Sequence, residues 1–131
     1  MSAVDTNVLV RFHVRDDEEQ YQQVKNIFAS ATSADPVFIN FVVLIEWVWV
    51  LKKFYKVDNK RIAALTLSML QSTEIEFEND SIVTNALRLF ENSSADFVDC
   101  LICEVNAHQG KSPTYTFDKK ASKLKGMKLL K

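Results

Sequence analysis

Acidic residues interrupt the apolar sequence of this chain at four places, and each limits how its segment can be buried. They are Asp5 in Ser-Ala-Val-Asp-Thr-Asn, Glu46 in Val-Leu-Ile-Glu-Trp-Val, Asp96 with Asp99 in Ala-Asp-Phe-Val-Asp-Cys-Leu-Ile, and Asp118 in Tyr-Thr-Phe-Asp-Lys. A carboxylate among hydrophobes is costly to bury unless something pairs with it. One such residue is easily accidental. Four clusters, spread from the first expected strand to the last, point to one shared negative site. The natural occupant of converging carboxylates is a hard divalent cation such as Mg²⁺ or Mn²⁺.

The rest of the composition is compatible with one ordinary folded domain covering residues 1–131. That length supports a single good core, and 47% hydrophobic with 25% charged residues is the usual balance of a soluble globular chain. With two Gly and two Pro, long irregular loops are not expected. The longest apolar run, Phe41 to Leu51, is broken by Glu46 and is too short to span a membrane. The start, Met-Ser-Ala-Val-Asp, lacks a basic region followed by an apolar stretch, so no signal peptide is expected. Without export, the glycosylation pattern Asn92-Ser93-Ser94 has no use.

Cys100 and Cys103 form a C-x-x-C, but both lie inside an expected helix beside Leu101 and Ile102. A redox dithiol opens its helix instead, and no second Cys pair or nearby His pair completes a zinc site. They read as reduced packing residues, which suits a cytoplasmic protein. The formal net charge is −1, so its distribution is more informative than its sum. Lys111, Lys119, Lys120, Lys123, Lys125, Lys128 and Lys131 share the C-terminal stretch with one acid, Asp118. Lys52, Lys53, Lys56, Lys60 and Arg61 form a second basic group. These are either solvated faces or basic edges beside an acidic centre, as a phosphodiester enzyme would want.

Strands and helices are expected to alternate. Ser2 to Val4 reads as a strand and Thr6 to Val14 as a helix. Asp16-Asp17-Glu18-Glu19 supplies an N-cap and first-turn acids for a helix through about Thr32, so that run is capping sequence. Val37 to Asn40 is a strand. Phe41 to Tyr55 is a helix apolar almost all round, hence central or at an interface. Asp58 caps Lys60 to Gln71, Glu74 to Phe77 alternates like a strand, and Asp80 is the expected cap of Ser81 to Phe90. A helix from about Asp96 to His108 is closed by Gly110. Thr114 to Phe117 is a strand, a short helix follows Asp118, and Met127 to Leu130 is a final strand. This order predicts an α/β fold with a parallel sheet. In such sheets ligands bind beyond the carboxyl ends of the strands. Asp5 and Asp118 follow strands, Asp96 and Asp99 share a helix face at i, i+3, and Glu46 sits in a helix after a strand.

These residues, in this order, resemble the PIN-domain ribonucleases, and among them the VapC toxins of bacterial toxin–antitoxin pairs. Val4-Asp5-Thr6-Asn7-Val8-Leu9-Val10-Arg11 is similar to the family's opening motif. Val43-Leu44-Ile45-Glu46-Trp47-Val48-Trp49-Val50-Leu51 is similar to its glutamate helix, Asp96-Phe97-Val98-Asp99-Cys100-Leu101-Ile102 to its third motif, and Thr116-Phe117-Asp118 to its fourth. Leu124 to Leu130 resembles the closing strand segment. The likeness covers essentially the whole chain. Cys100 departs from the usual Ala, and Cys103 and Glu104 from the usual small residues, changes that touch helix packing more than metal chemistry.

The resemblance implies a three-layer α/β/α PIN-like domain with a central parallel sheet and an Mg²⁺- or Mn²⁺-dependent endoribonuclease activity on structured RNA, a tRNA or rRNA. It also implies a second toxin subunit and a VapB-like antitoxin as partners. Phosphodiester hydrolysis needs an activated water and a stabilised leaving oxygen, which bound metals supply. The expected ligands are Asp5 and Asp99, with Asp96 and Asp118 holding a second metal or waters, and Glu46 acting through water. Asn7 and Thr116 either orient carboxylates or belong to turns and caps. Arg11 either meets substrate, as Lys119 and Lys120 are expected to, or is a solvated helix residue. His13 and His108 are read as structural. The aromatics Phe12, Phe41, Trp47, Trp49, Phe54 and Tyr55 are core, interface or RNA-stacking residues. A receiver-type domain would want paired acids in its first strand, and Asp5 has no acidic neighbour. A PIN scaffold acting only as an interaction protein, without nuclease activity, would have lost acids that this chain keeps.

Overall fold

Short polar side chains start most of the helices, and they do so by accepting the backbone N–H groups that a first turn leaves unpaired. The computed structural model describes residues 1–131. The chain divides into two compact units, Met1–Glu78 and Asn79–Lys131. Its architecture is mixed α/β, and every strand pairing is parallel.

In the first unit, β1 (Ser2–Ala3), β2 (Val37–Ile39) and β3 (Ile75–Phe77) form a sheet in that order. Parallel neighbours need a crossover, and helices supply it. Asp5 caps α1 (Thr6–His13), its Oδ1 accepting the Val8 N–H at 3.0 Å. Asp17, within the expected acid run, caps α2 (Glu18–Ser30) by accepting from Gln20. Asn40 caps α3 (Phe41–Phe54), and Asp58 caps α4 (Asn59–Gln71). β3 buries Ile75 and Phe77 and exposes Glu76, the period-2 alternation of a strand with one wet face.

The α3 helix was expected to be apolar all round, and its two faces divide cleanly. Val43, Leu44, Trp47, Val48 and Leu51 are buried at helical spacing. Trp47 is 0% exposed, whereas Trp49 is 52% and Phe54 61% exposed. Of the readings open for these aromatics, Trp47 is therefore a core residue, and Trp49 remains available to an interface. Its indole N–H donates to His13 Nδ1 at 3.0 Å. The indole nitrogen can only donate, so Nδ1 is the acceptor and the neutral ring carries its proton on Nε2. The Leu9 carbonyl approaches the same Nδ1 at 3.2 Å, a contact that becomes a hydrogen bond only if Nδ1 is protonated. Burial lowers the His13 pKa to about 4.

The second unit contains α5 (Asp80–Glu91), α6 (Phe97–His108) and the parallel pair β4 (Thr114–Thr116) and β5 (Met127–Leu129), joined through a 3₁₀ turn at Ala121–Lys123. The cap of α5 is Asn79, whose side chain accepts the Ile82 N–H, so Asp80 occupies the first helical position instead of the expected cap. Ile82, Val83, Ala86, Leu87 and Phe90 make the buried stripe of α5. Phe90 meets Phe97 of α6 edge-on, with ring centroids 5.4 Å apart. Cys100 and Cys103 are buried and free. Burial pushes the Cys100 thiol up to about 12, which makes it inert at neutral pH. Gly126 has φ +94°, a conformation in which a side chain is strained. The five expected strands thus form two parallel ladders, one in each unit.

Candidate metal centre

The first unit carries Asp5 and Glu46. Asp5 sits where β1 gives way to α1, and one of its oxygens is engaged in capping. Glu46 is an exposed residue of α3, and the Thr6 hydroxyl donates to its Oε1 at 3.0 Å. Thr6, one residue after Asp5, therefore ties the start of α1 to the glutamate.

Beside Asp5 lies a pocket of about 250 Å³ between α1 and α2. Asn7, Arg11, Gln20 and Gln23 supply its polar lining, together with Asp5, and Val8 and Val24 its apolar part. Arg11 is not a solvated helix residue. Its Nε donates to Gln20 Oε1 at 2.9 Å, and its Nη1 donates to the Tyr55 hydroxyl at 3.1 Å. The same Nη1 pairs with Asp16 at 3.0 Å, and the Tyr55 hydroxyl donates to Asp16 in turn. The guanidinium is thus neutralised and fixed within its own unit.

The second unit carries Asp96, Asp99 and Asp118. Asp96 is the N-cap residue of α6, and its side chain makes no capping bond to the helix. Asp99 lies in the first turn of α6. Asp118 follows β4 and caps the 3₁₀ turn, its Oδ1 accepting the Ala121 N–H at 2.9 Å. Thr116 accepts the Asp118 backbone N–H through its Oγ1, so it positions Asp118 through the main chain. Lys119 and Lys120 follow directly and are exposed. Burial raises the Asp99 pKa above the ordinary carboxylate value, and the charges of Asp118 and then Asp96 raise it further. These three carboxylates feel one another without being gathered at a point, since no three Asp, Glu, His or Cys side chains form a ready-made cation site. Mg²⁺ retains several waters and takes few direct carboxylates, so it does not require such a cluster. The donor set is all oxygen, and the two soft thiols of α6 are buried and protonated.

A family model described as the PIN domain matches residues 3–127. The chain belongs to the PIN-domain family. It is also similar to a protein named VapC ribonuclease from Aquifex aeolicus (strain VF5), with 24% identity over 125 residues, 95% of this chain and 92% of that protein. The PIN match spans all the acidic positions read from the sequence.

Sequence reasoning set Thr6 beside the acids without giving it a partner, and it passed over Gln20 and Gln23. The only available signal for the glutamines was their i, i+3 spacing on the polar face of α2, which a solvated helix shows equally.

Proposed function

We propose that this PIN-family chain is an Mg²⁺- or Mn²⁺-dependent endoribonuclease, working as one PIN domain over residues 1–131. In this reading it is the toxin of a VapBC-type toxin–antitoxin pair, acts in the cytoplasm on structured RNA (tRNA or rRNA) and inhibits translation. The observation that carries the reading is the set Asp96, Asp99 and Asp118, in which burial first, and the charges of Asp118 and Asp96 after it, raise the Asp99 pKa above the ordinary carboxylate value. Like charges kept this close favour a cation between them. Membership of the PIN family and the printed name of the Aquifex aeolicus relative support the nuclease assignment.

The proposed ligands are Asp5, Asp99, Asp96 and Asp118. When bound, the cation supplies Lewis acidity toward a phosphodiester oxygen and acidifies water. Glu46 is held at Oε1 by Thr6, which leaves Oε2 to take a proton from water. Asn7, beside Asp5 in the pocket, and Thr116, which fixes the Asp118 backbone, have positioning roles. Lys119 and Lys120 are the proposed phosphate contacts. Arg11 shapes the substrate pocket instead of pairing with phosphate, because Asp16 already neutralises it. Partners are a VapB-like antitoxin and a second copy of the chain, with the exposed Val42, Trp49 and Phe54 of α3 as the apolar surface available to them.

The test is incubation of the purified protein with total RNA and Mg²⁺ or Mn²⁺. Discrete fragments that disappear with EDTA and in Asp99→Asn are expected. Cleavage that resists EDTA would remove the metal-dependent mechanism. Absence of cleavage despite measured Mn²⁺ binding would favour a PIN scaffold that acts as an interaction protein.

A further inference from the structure

We infer that the pocket between α1 and α2 is a nucleobase subsite that prefers a keto base, guanine or uracil, over adenine or cytosine. The inference rests on the nuclease reading for its substrate class and adds a specificity to it. Three observations carry it.

The first is the pocket's chemistry. Its apolar part is Val8 and Val24, and its polar part is rich in neutral amides, Asn7, Gln20 and Gln23. A flat heteroaromatic ring needs an apolar surface to lie on and amide groups at its edges. A phosphate needs uncompensated positive charge. The one cation here, Arg11, is paired with Asp16 at 3.0 Å, and its Nε is used by Gln20. The pocket therefore suits a base better than a backbone phosphate.

The second is position. Asp5 lines the same pocket, so a base seated there lies next to a residue proposed to hold the cation. The third is polarity. Gln20 Oε1 accepts from Arg11 Nε at 2.9 Å, which settles which end of that amide is which. Arg11 is itself fixed by Tyr55 and Asp16, so the amide is held before any ligand arrives. Gln20 is left with its Nε2 as a donor. With the purine 6-position or the pyrimidine 4-position turned toward Gln20, a donor pairs with the carbonyl oxygen of guanine or uracil and is mismatched against the exocyclic amino group of adenine or cytosine. Gln23 and Asn7 can present either end of their amides.

Two measurements on the full chain test this. In the first, side-chain amide resonances are followed by NMR during titration with guanosine, uridine, adenosine and cytidine monophosphates, so the result does not depend on cleavage. Shifts at Gln20 and Gln23 with guanosine and uridine monophosphates are expected, with binding about tenfold weaker for the two amino bases. Gln20→Glu replaces the donor by an acceptor and should remove or invert the preference without unfolding an exposed helix position. Equal shifts with all four nucleotides, no shifts with any, or an unchanged preference in Gln20→Glu would each overturn the subsite. In the second, the ends of cleaved RNA are sequenced. Guanine or uracil enriched at one fixed position, with the enrichment lost in Gln20→Glu, is expected. Cleavage with no base preference at any fixed position overturns the subsite and leaves the nuclease reading intact. Selective nucleotide binding without RNA cleavage overturns the nuclease reading and leaves the subsite.

Discussion

Asp5 and Glu46 of the first unit and Asp99 of the second are held in different ways. In the first, Asp5 accepts a backbone N–H and Glu46 accepts the Thr6 hydroxyl, so both carboxylates have partners from their own chain. In the second, Asp99 is raised by burial and by its neighbours Asp118 and Asp96. Hydrogen bonds to a carboxylate stabilise its charge, whereas nearby carboxylates destabilise it. Each acid of the first arrangement has one oxygen already engaged, and the second arrangement is improved by a cation. Under the proposed function, Asp99 and its neighbours should dominate cation affinity, and Glu46 should contribute to the chemistry without controlling the affinity.

The largest effect should separate those roles. Asp99→Asn is expected to lower metal-dependent RNA cleavage by at least about a hundredfold and to abolish most of the rise in melting temperature that Mn²⁺ produces. Glu46→Gln is expected to lower cleavage by about a hundredfold while keeping the Mn²⁺-dependent rise. Scanning calorimetry with and without Mn²⁺ reads the second quantity independently of activity. If both variants lose the rise equally, the division between the two sets of acids is wrong.

The first unit's core should make the protein sensitive to acid through His13. The His13 pKa falls from 6.5 to about 4 in the folded chain, with burial the main cause and the Arg61 charge a minor one. Between those values the unfolded chain binds a proton that the folded chain refuses. Stability from this residue is therefore full above pH 6.5 and is lost as pH falls toward 4, by about 2–3 kcal/mol. In His13→Gln the amide oxygen can still accept from Trp47, so the variant should fold and lose that part of the pH slope. Urea unfolding at pH 7.5 and pH 5 measures it. An unchanged slope would mean that other groups carry the acid response.

The sequence disclosed the element order because the signals were local. Apolar spacing placed α5 and α6, and Asp17 and Asp58 sit where capping chemistry starts a helix, whereas Asn40, read as the end of a strand, caps α3. It failed where two local candidates competed or where a tertiary contact decided. Asn79 and Asp80 are both good caps, and backbone geometry chose Asn79. Trp47 and Trp49 look alike in an apolar helix, and only packing against His13 distinguishes the buried one. The clustering of acids along the sequence was evident, but their state was not. Thr6 reaches Glu46 across forty positions, and Arg11 is claimed by Gln20, Tyr55 and Asp16 from two different parts of the chain. The division of the strands into two ladders also had no local signature.

Thr6→Val tests the self-sufficiency of the first unit. The hydroxyl donates to Glu46 at 3.0 Å near the surface, so its loss should cost about 0.5 kcal/mol of stability. A freed Glu46 should lower kcat about tenfold with little change in KM, because the glutamate is then no longer held for proton transfer. Thr6→Ser keeps the hydroxyl and should restore most of the rate. A rate unaffected in Thr6→Val would mean that Glu46 does not need this anchor.

The smallest expected effect is the most direct test of the contrast, because it concerns the cation-free protein. Asp99 has a raised folded-state pKa, so its ionisation disfavours the folded state, and the penalty grows as pH rises through that raised value. The half-buried Asp99 side chain keeps some contact with solvent, which limits the penalty to about a few tenths of a kcal/mol. With EDTA present at pH 7.5, Asp99→Asn should therefore be slightly more stable than the parent chain. Below the ordinary aspartate pKa both states of the parent are protonated, and the advantage should vanish. Excess Mn²⁺ should reverse it, because the parent then gains a ligand that the variant has lost. No comparable gain is expected from Asp5→Asn, because asparagine caps a helix about as well as aspartate and can still accept the Val8 N–H. Chemical unfolding of the two variants side by side decides the matter. A gain in Asp5→Asn as large as that in Asp99→Asn would show that the acids of the two units do not differ in the way their hydrogen bonds indicate.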